Sequence, residues 1–245
     1  MILAVDMGNT QTAIGLFCDD QLLSSWRMPT DRAHTKDEIH VRLLGFFRMY
    51  GHDLSSVEAI AFAGVVPQLV REWEAVAAQI DAEFLAVGRD TAAVTPIVAD
   101  NPSEVGADRI ANSVAAAAFH GAPAIVVDFG TATNIDVVNA DGAYIGGAIA
   151  PGLRISMDAL TARAARLASV PLEAPAHAIG RNTVEAVQNG LVVGTAAMAE
   201  GLVARIKAEL GAPDATVIAT GGLAGIVAES VSYTHLRAHE TCADL

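Results

Sequence analysis

The chain has 245 residues, of which 52% are hydrophobic and 18% charged, with a formal net charge of −13. This length allows one large domain or two ordinary ones with a sizeable core. The acidic balance argues against a nucleic-acid partner, and two distant cysteines are too few for a disulfide or zinc framework.

No signal peptide is visible before the first predicted strand. The sequence also lacks a stretch of about eighteen uncharged apolar residues, the length that a membrane-spanning helix requires. The composition therefore predicts a soluble cytoplasmic protein with no membrane partner.

The first half of the chain alternates strands and helices. The apolar periodicity predicts strands at 2–5, 12–17 and 21–28, a helix at 35–49, a buried strand at 57–67 that ends at Pro67, a helix at 69–80, a short strand at 84–87 and a helix at 105–119.

The second half begins with the same order of elements. We predict strands at 124–128, 133–138 and 143–149, a helix after Pro151-Gly152, a loop at 165–180, one long helix at 182–210 capped by Asn182 or Thr183, and a strand that runs into a glycine turn and another helix. Two such halves predict a duplicated α/β domain, with an N-terminal domain at 1–119 and a C-terminal domain at 120–230.

Residues 231–245 depart from the alanine- and valine-rich texture of the rest, and we expect this tail to lie outside the native fold. A metal site at His235 and His239, which are four residues apart, is the alternative interpretation.

Two similar hairpins carry the strongest functional signal. Asp6-Met7-Gly8-Asn9-Thr10 in the first half aligns with Asp128-Phe129-Gly130-Thr131-Ala132 in the second. Glycine lets backbone N–H groups approach a phosphate closely, and an aspartate next to a phosphate requires a cation or water between them. One such turn is common at strand ends. Two copies in matched context predict a clamp for a nucleoside triphosphate, and Gly221 and Gly222 add a third close-approach site.

The stretch 101–112 supplies candidates for binding the acceptor substrate. Asp108 is suited to act as the general base, and Arg109 can pair with a substrate carboxylate. A surface Asp-Arg pair at a helix start is the competing interpretation.

Six motifs together resemble the type III pantothenate kinases, members of the acetate and sugar kinase/Hsp70/actin superfamily. In chain order they are DMGNT at 6–10, GVVP at 64–67, GADR at 106–109, DFGTAT at 128–133, GGAIAPGL at 146–153 and TGGLA at 220–224. The resemblance extends from residue 2 to about residue 228.

The resemblance implies two ribonuclease-H-like domains with the active site in the cleft between them, ATP-dependent phosphorylation of pantothenate as the first step of coenzyme A synthesis, and a homodimer. It also implies a role for each matching residue. Asp6, Gly8, Asn9, Thr10, Gln11, Thr12, Ala13 and Thr131 would bind ATP; Gly106, Ala107, Asp108, Arg109 and Thr183 would bind pantothenate, with Thr183 reaching over from the partner subunit; and Asp128 would hold potassium or ammonium, with magnesium accompanying ATP.

Two positions depart from the family pattern. Ala99 stands where the family often has a tyrosine, and the tail replaces the expected closing elements of the second domain. Two other functions remain open on the residues alone, a phosphohydrolase of the same superfamily and a non-enzymatic ATP-binding regulator.

Overall fold

The structure is a computed structural model that describes residues 1–88, 95–164, 167, 169–228 and 230, and the backbone of 237–238. The metal site considered at His235 and His239 lies outside the described residues. Contacts divide the chain into two compact units, the first formed by 1–88 with 101–111 and the second by 95–100 with the described residues from 112 onward.

The first unit is built on a five-stranded sheet with the order β3-β2-β1-β4-β5. Its strands are β1 (Ile2–Met7), β2 (Gln11–Cys18), β3 (Gln21–Pro29), β4 (Ala59–Gly64) and β5 (Glu83–Ala86), and its helices are α1 (Lys36–Met49) and α2 (Pro67–Gln79). β1 is antiparallel to β2 and parallel to β4.

Helix α3 (Ala107–His120) begins in the first unit and continues into the second. The second unit has β6 (Ala124–Phe129), β7 (Ala132–Val138), β8 (Tyr144–Pro151), β9 (Thr216–Thr220) and β10 (Arg237–Ala238), with α4 (Leu153–Arg163), α5 (Thr183–Gln188), α6 (Gly194–Leu210) and α7 (Ala224–Ala228). Its sheet has the order β10-β9-β6-β7-β8, in which β10, two residues of the tail expected to lie outside the fold, pairs with β9.

The two sheets share one topology, which confirms the predicted duplication. In each, three consecutive antiparallel strands are followed by two strands parallel to the first of the three. β6 therefore occupies the place of β1, and the two acidic turns follow equivalent strands.

One predicted strand end and one predicted uninterrupted helix are wrong. The strand expected to end at Pro67 ends at Gly64, and Pro67 instead begins α2. Proline cannot donate to a sheet, but it fits the first turn of a helix, where its missing N–H would have no partner anyway. The helix expected at 182–210 is interrupted by a π-helical turn at Asn189–Val193, a run that contains a glycine and so has weak helical preference.

Helix starts follow the sequence more closely. Asn182 caps α5 as predicted, because its side-chain oxygen accepts the N–H of Glu185 at 2.9 Å. Helix α1 starts with a capping box in which Thr35 N–H donates to the Glu38 carboxylate at 3.0 Å. This backbone hydrogen bond from Thr35 is the main reason why the pKa of Glu38 is lowered.

Strand alternation decides which way the acidic residues face. Leu3, Val5 and Met7 of β1 enter the core of the first unit, which leaves Asp6 on the opposite face. β6 is buried on both faces, and Val126 packs with Ala116 of α3. Because side chains two residues apart share a face, Asp128 lies on the side of β6 that packs against α3.

The core of the first unit holds the end of β4 in place through aromatic packing. Trp73 of α2 is fully buried, and its ring centroid lies 5.9 Å from that of Phe62 on β4. Phe62 in turn lies 5.6 Å from Phe84 on β5.

Among the described residues, no helix is both long and apolar enough to cross a membrane.

We expect Trp73→Ala to lower the free energy of unfolding by about 3–5 kcal/mol, because it leaves a cavity between α2 and the sheet. Urea unfolding followed by circular dichroism measures this loss. Glu74→Ala, at an exposed position on the same helix, is the matched control and should change the free energy by less than about 0.5 kcal/mol. Equal stability of the two variants would contradict the packing role of Trp73.

Candidate active site

The first turn joins β1 to β2 and is closed by one backbone hydrogen bond. Gly8 N–H donates to the carbonyl oxygen of Gln11 at 3.0 Å. A Cβ on Gly8 would lie only 3.2 Å from that same oxygen, so a larger residue would crowd the turn. The Gly8 amide is committed to the turn, and the exposed tip consists of Asn9 and Thr10.

Thr30, which follows β3, holds the same turn from the side. Its N–H donates to the carbonyl oxygen of Thr10 at 3.0 Å, and its hydroxyl lies 2.8 Å from that of Thr12. Thr12 is buried, as is Ala13. The side chain of Thr12 therefore stabilises the turn from inside the sheet. The motif gives no sign of Thr30 in the sequence, because Thr30 lies twenty residues beyond it.

The second turn, between β6 and β7, is one residue shorter. Gly130 N–H donates to the carbonyl oxygen of Ala132 at 3.0 Å. Asp6 pairs across its hairpin with Ala13, seven residues on, whereas Asp128 pairs with Asn134, six residues on. The predicted alignment of the two motifs therefore holds through the glycine but not beyond it.

Asp128 is held between α3 and two glycines. Its Oδ2 accepts a hydrogen bond from Asn112 Nδ2 at 3.3 Å. Its Oδ1 lies where a Cβ on Gly221 would collide with it, and a Cβ on Gly130 would approach it to 3.4 Å. Gly221 has a φ of +92°, a conformation that other residues rarely adopt. We call this close packing of Gly130 and Gly221 against Oδ1 the glycine niche.

Backbone contacts from two other segments fix the second turn. A Cβ on Gly152, which precedes α4, would collide with the carbonyl oxygens of Gly130 and Thr131. Leu223 N–H donates to the carbonyl oxygen of Phe129 at 3.1 Å. The segments GGAIAPGL and TGGLA, far apart in sequence, therefore both pack against the DFGTAT turn. Gly222 is exposed, with nothing within 4 Å of a Cβ built on it.

The GADR motif forms the start of α3. Ile110 N–H donates to the carbonyl oxygen of Gly106 at 3.1 Å, and Ala107 is the first residue of the helix. Asp108 and Arg109 are half-buried in its first turn. Asp108 Oδ1 is shielded from solvent and has no hydrogen-bond partner among the described residues.

Close packing places Asp108 beside the segment that follows β4. A Cβ on Gly106 would collide with Asp108 Oδ1 and would lie 3.9 Å from Cγ1 of Val65, in the GVVP motif. Val65 N–H donates to the carbonyl oxygen of Met7 at 3.1 Å. GADR, GVVP and the end of β1 therefore meet at one edge of the first sheet, the edge that carries Asp6 and its turn.

Thr183 lies elsewhere in the second unit. It is exposed at the start of α5 and lines a surface cavity of about 770 Å³ between α4, α5 and the π-helical turn. Leu160, Arg181 and Leu191 are among the other lining residues. None of the described contacts joins Thr183 to either turn.

Ala99 follows a short segment that pairs with the start of β8. Tyr144 N–H donates to the carbonyl oxygen of Pro96, and Val98 N–H donates to that of Tyr144, each at 2.8 Å. These two hydrogen bonds fix the backbone directly before Ala99, the position at which the family often has a tyrosine.

The Asp128 carboxylate packs closely against small residues. A Cβ at residue 221 would collide with Asp128 Oδ1, so the absence of a side chain there leaves the carboxylate in its place against the backbone. Within the described ranges, no group of three or more His, Cys, Asp or Glu side chains could hold a metal ion. A cation at Asp128 would accordingly need further ligands from the ATP phosphates, backbone oxygens or water.

The chain matches known proteins over nearly its whole length. A family model described as type III pantothenate kinase matches residues 2–205. The type III pantothenate kinase of Thermomicrobium roseum is 47% identical over 232 residues, which is 94% of this chain and 89% of the relative. That of Frankia alni is 48% identical over 230 residues, 93% and 89% of the two chains.

A solved structure supports the fold. The conserved Baf family transcriptional activator of Campylobacter jejuni superposes with a TM-score of 0.59, at 18% identity, over 98% of this chain and 92% of its own. This likeness agrees with the predicted pair of ribonuclease-H-like domains. The match of the family model, the near-complete coverage at 47–48% identity and the six motifs around the acidic turns lead to one conclusion: the chain belongs to the type III pantothenate kinase family.

Proposed function

We propose that this protein transfers the γ-phosphoryl group of ATP to the hydroxyl of pantothenate, forming 4′-phosphopantothenate and ADP in the first step of coenzyme A synthesis. Membership of the family supports the reaction. Asp108 is the structural observation that carries it, because a shielded carboxylate oxygen without a hydrogen bond is suited to accept a proton from a bound hydroxyl.

Asp108 acts as the general base in this proposal. The pantothenate hydroxyl oxygen attacks the γ-phosphorus, the bond to the oxygen bridging the β- and γ-phosphates breaks, and ADP leaves with that electron pair. The hydroxyl proton passes to Asp108. Gly106 has no side chain to block this carboxylate, since a Cβ there would collide with Oδ1.

The neighbours of Asp108 hold the acceptor. The Arg109 guanidinium, in the same first turn of α3, is suited to the pantothenate carboxylate through paired charge-assisted hydrogen bonds. Gly106 and Ala107 allow the substrate to approach the helix start closely, because neither carries a long side chain.

The two turns bind the phosphates of ATP. Because the amides of Gly8 and Gly130 close their own turns, we assign phosphate binding to the exposed residues after them, Asn9, Thr10 and Thr131. Gln11, Thr12 and Ala13 shape the first turn from β2. Gly221 and Gly222 allow the nucleotide to approach the backbone closely.

The carboxylates of Asp6 and Asp128 would repel the phosphates of ATP. In this proposal, a cation between each carboxylate and the phosphates offsets that repulsion. We assign the monovalent cation, potassium or ammonium, to Asp128, and magnesium accompanies ATP. When bound, these ions neutralise charge that develops on the transferred phosphoryl group. The match of Asp128 to the DFGTAT motif of the family supports the assignment of the monovalent cation.

The conditions under which ADP forms distinguish the proposed kinase from its two rivals, the phosphohydrolase and the ATP-binding regulator. We expect ADP from the purified protein with ATP and pantothenate together, and faster formation in potassium chloride than in sodium chloride. ADP formed equally fast without pantothenate would indicate the phosphohydrolase. Bound ATP without ADP formation under any of these conditions would indicate the regulator.

Asp108→Asn tests the proposed base. It preserves the shape of the side chain and should lower kcat about 10²–10⁴-fold because the proton acceptor is lost. Glu104→Gln removes the same charge from an exposed site in the preceding loop and should leave kcat within about twofold of the wild-type value. An Asp108→Asn variant with wild-type kcat would contradict the mechanism.

Gly221→Ala tests the packing of the glycine niche. We expect it to raise the potassium and ATP concentrations needed for half-maximal rate, because the new Cβ displaces the Asp128 carboxylate, and to cost more than about 1 kcal/mol of stability through strain at φ +92°. Gly211→Ala is the control: φ is +62°, but nothing lies within 4 Å of the Cβ. We expect this control to lose stability but to need the same potassium and ATP concentrations as the wild-type protein for half-maximal rate. Identical kinetics in both variants would contradict the role of the niche.

We also propose a homodimer in which Thr183 reaches the pantothenate of the partner subunit. The cavity beside Thr183 supports this arrangement, together with partly exposed apolar residues around it, Ile155, Leu160 and Val184. We propose a cytoplasmic location, because the free, exposed Cys18 fits a reducing compartment.

Mixing two inactive variants tests the shared site. Asp108→Asn and Thr183→Ala should each be nearly inactive alone. After subunit exchange they should recover up to about one quarter of the wild-type rate, because half of the re-formed dimers are mixed and each holds one intact site. A mixture that forms mixed dimers, verified with differently tagged subunits, but recovers no activity would contradict a role for Thr183 across the interface.

A further inference from the structure

Residues 171–182, which we call the strap, contain no helix or strand and lead directly into Thr183 at the start of α5. Apolar packing anchors the first part of the strap, because Leu172 and Ala174 pack against the core of the second unit. The later part is exposed to solvent, and Ile179 is 80% exposed. Hydrophobic burial therefore contributes little to holding the part of the strap nearest to Thr183.

Polar side chains on one side of the helix bind the strap by its backbone. Glu185, Gln188 and Asn189, which we call the polar face, have the spacing i, i+3, i+4 and so lie on the same side of the helix. Gln188 Nε2 donates to the carbonyl oxygen of Pro171 at 2.9 Å. Asn189 Nδ2 donates to the carbonyl oxygen of His177, also at 2.9 Å. The polar face thus extends its hold beyond the apolar anchor.

Glu185 holds the end of the strap with both carboxylate oxygens. Its Oε2 accepts the N–H of Arg181 at 2.7 Å, and its Oε1 accepts from Asn182 Nδ2 at 2.9 Å. Hydrogen bonds to an ionised carboxylate are stronger than those between neutral groups. The Asn182 side chain in turn accepts the N–H of Glu185 at 2.9 Å. The residue immediately before Thr183 is therefore held from two sides.

The same end of the strap forms a wall of the cavity beside Thr183. Gly180 and Arg181 line that cavity together with Thr183. A Cβ on Gly180 would collide with the backbone of Ala186, so the strap approaches α5 as closely as a glycine allows. Thr183 and the wall next to it are therefore fixed by one set of contacts.

We propose that the polar face positions Thr183 for the pantothenate of the partner subunit, with Glu185 as the residue that acts most directly. The proposal rests on the proposed function, since it assumes that Thr183 reaches that substrate. Glu185, Gln188 and Asn189 are positioning residues, because they act on the backbone around Thr183. A segment that is ordered before the substrate arrives has less conformational entropy to lose on binding, and this increases affinity.

Glu185→Ala is the main test. We expect the Kd for pantothenate, measured by calorimetry with a non-hydrolysable ATP analogue present, to rise about tenfold. The Kd for the analogue itself should stay within about twofold of the wild-type value. In a Thr183→Ala background, the same substitution should raise the Kd for pantothenate by less than about twofold, because the residue through which Glu185 acts is missing.

Glu38→Ala is the matched control, because Glu38 makes the same kind of contact in the first unit. Its carboxylate accepts the N–H of Thr35 at 3.0 Å, and its own N–H donates to Thr35 Oγ1 at 3.4 Å. We expect this control to lower the melting temperature, since a helix cap is lost. The Kd values for pantothenate and for the ATP analogue should not change.

Two further variants grade the effect. Glu185→Gln keeps one acceptor oxygen for two donors, so the Kd for pantothenate should rise less than in Glu185→Ala. Asn189→Asp keeps the size of the side chain but cannot donate to the carbonyl oxygen of His177. It should also raise the Kd for pantothenate, and it provides the same readout if Glu185→Ala does not fold.

The outcomes separate this inference from the proposed function. Unchanged pantothenate affinity in Glu185→Ala and Asn189→Asp, equal losses for pantothenate and the ATP analogue, or a loss that persists in full in the Thr183→Ala background would overturn the positioning role. Unchanged affinity in Thr183→Ala alone would overturn the role of Thr183 and this inference, but not the reaction.

The wild-type protein supplies the remaining comparison. If it binds pantothenate but forms no ADP, the proposed reaction is overturned, and the Kd values still test the polar face. If it does not bind pantothenate, both the reaction and this inference are overturned.

Discussion

One backbone hydrogen bond in each half of the chain sets the geometry on which the candidate site depends. Gly8 N–H to Gln11 and Gly130 N–H to Ala132 close turns immediately after the first strand of each sheet. Because these bonds use the glycine amides, the residues next in sequence become the exposed tips. The aspartate two positions before each glycine stays on the strand, so its direction is fixed by the pleat rather than by a loop.

Small residues allow other segments to pack directly against the second turn. Gly152 lies against the carbonyl oxygens of Gly130 and Thr131, and Gly221 lies against Asp128. In the sequence, Gly152 and Gly221 each lie more than twenty residues from the turn and from each other. Their motifs are explained by the absence of a Cβ, since any side chain would occupy space that the turn or the Asp128 carboxylate already fills.

Helix α3 carries the GADR motif and also contacts the DFGTAT motif through Asn112. Its first turn carries Asp108 and Arg109, and Asn112 follows one turn later with a hydrogen bond to Asp128. The helix packs on β6 through Ala116, so this packing fixes the position of Asn112 one turn earlier. These side chains therefore stand on one helix, and rigid elements position side chains better than loops do.

The sequence by itself determined the duplication, most of the strands and the two turns that follow Asp6 and Asp128, because strand alternation and glycine-rich turns are local patterns. It misplaced the start of α2, where Pro67 suits both a strand end and a helix start, and it missed the π-helical turn, which has no simple periodic signature. Thr30 and Asn112 became visible only in the tertiary structure. Their partners, Thr12 and Asp128, lie eighteen and sixteen residues away, and such pairings depend on which strand and helix faces pack together rather than on the order of residues along the chain.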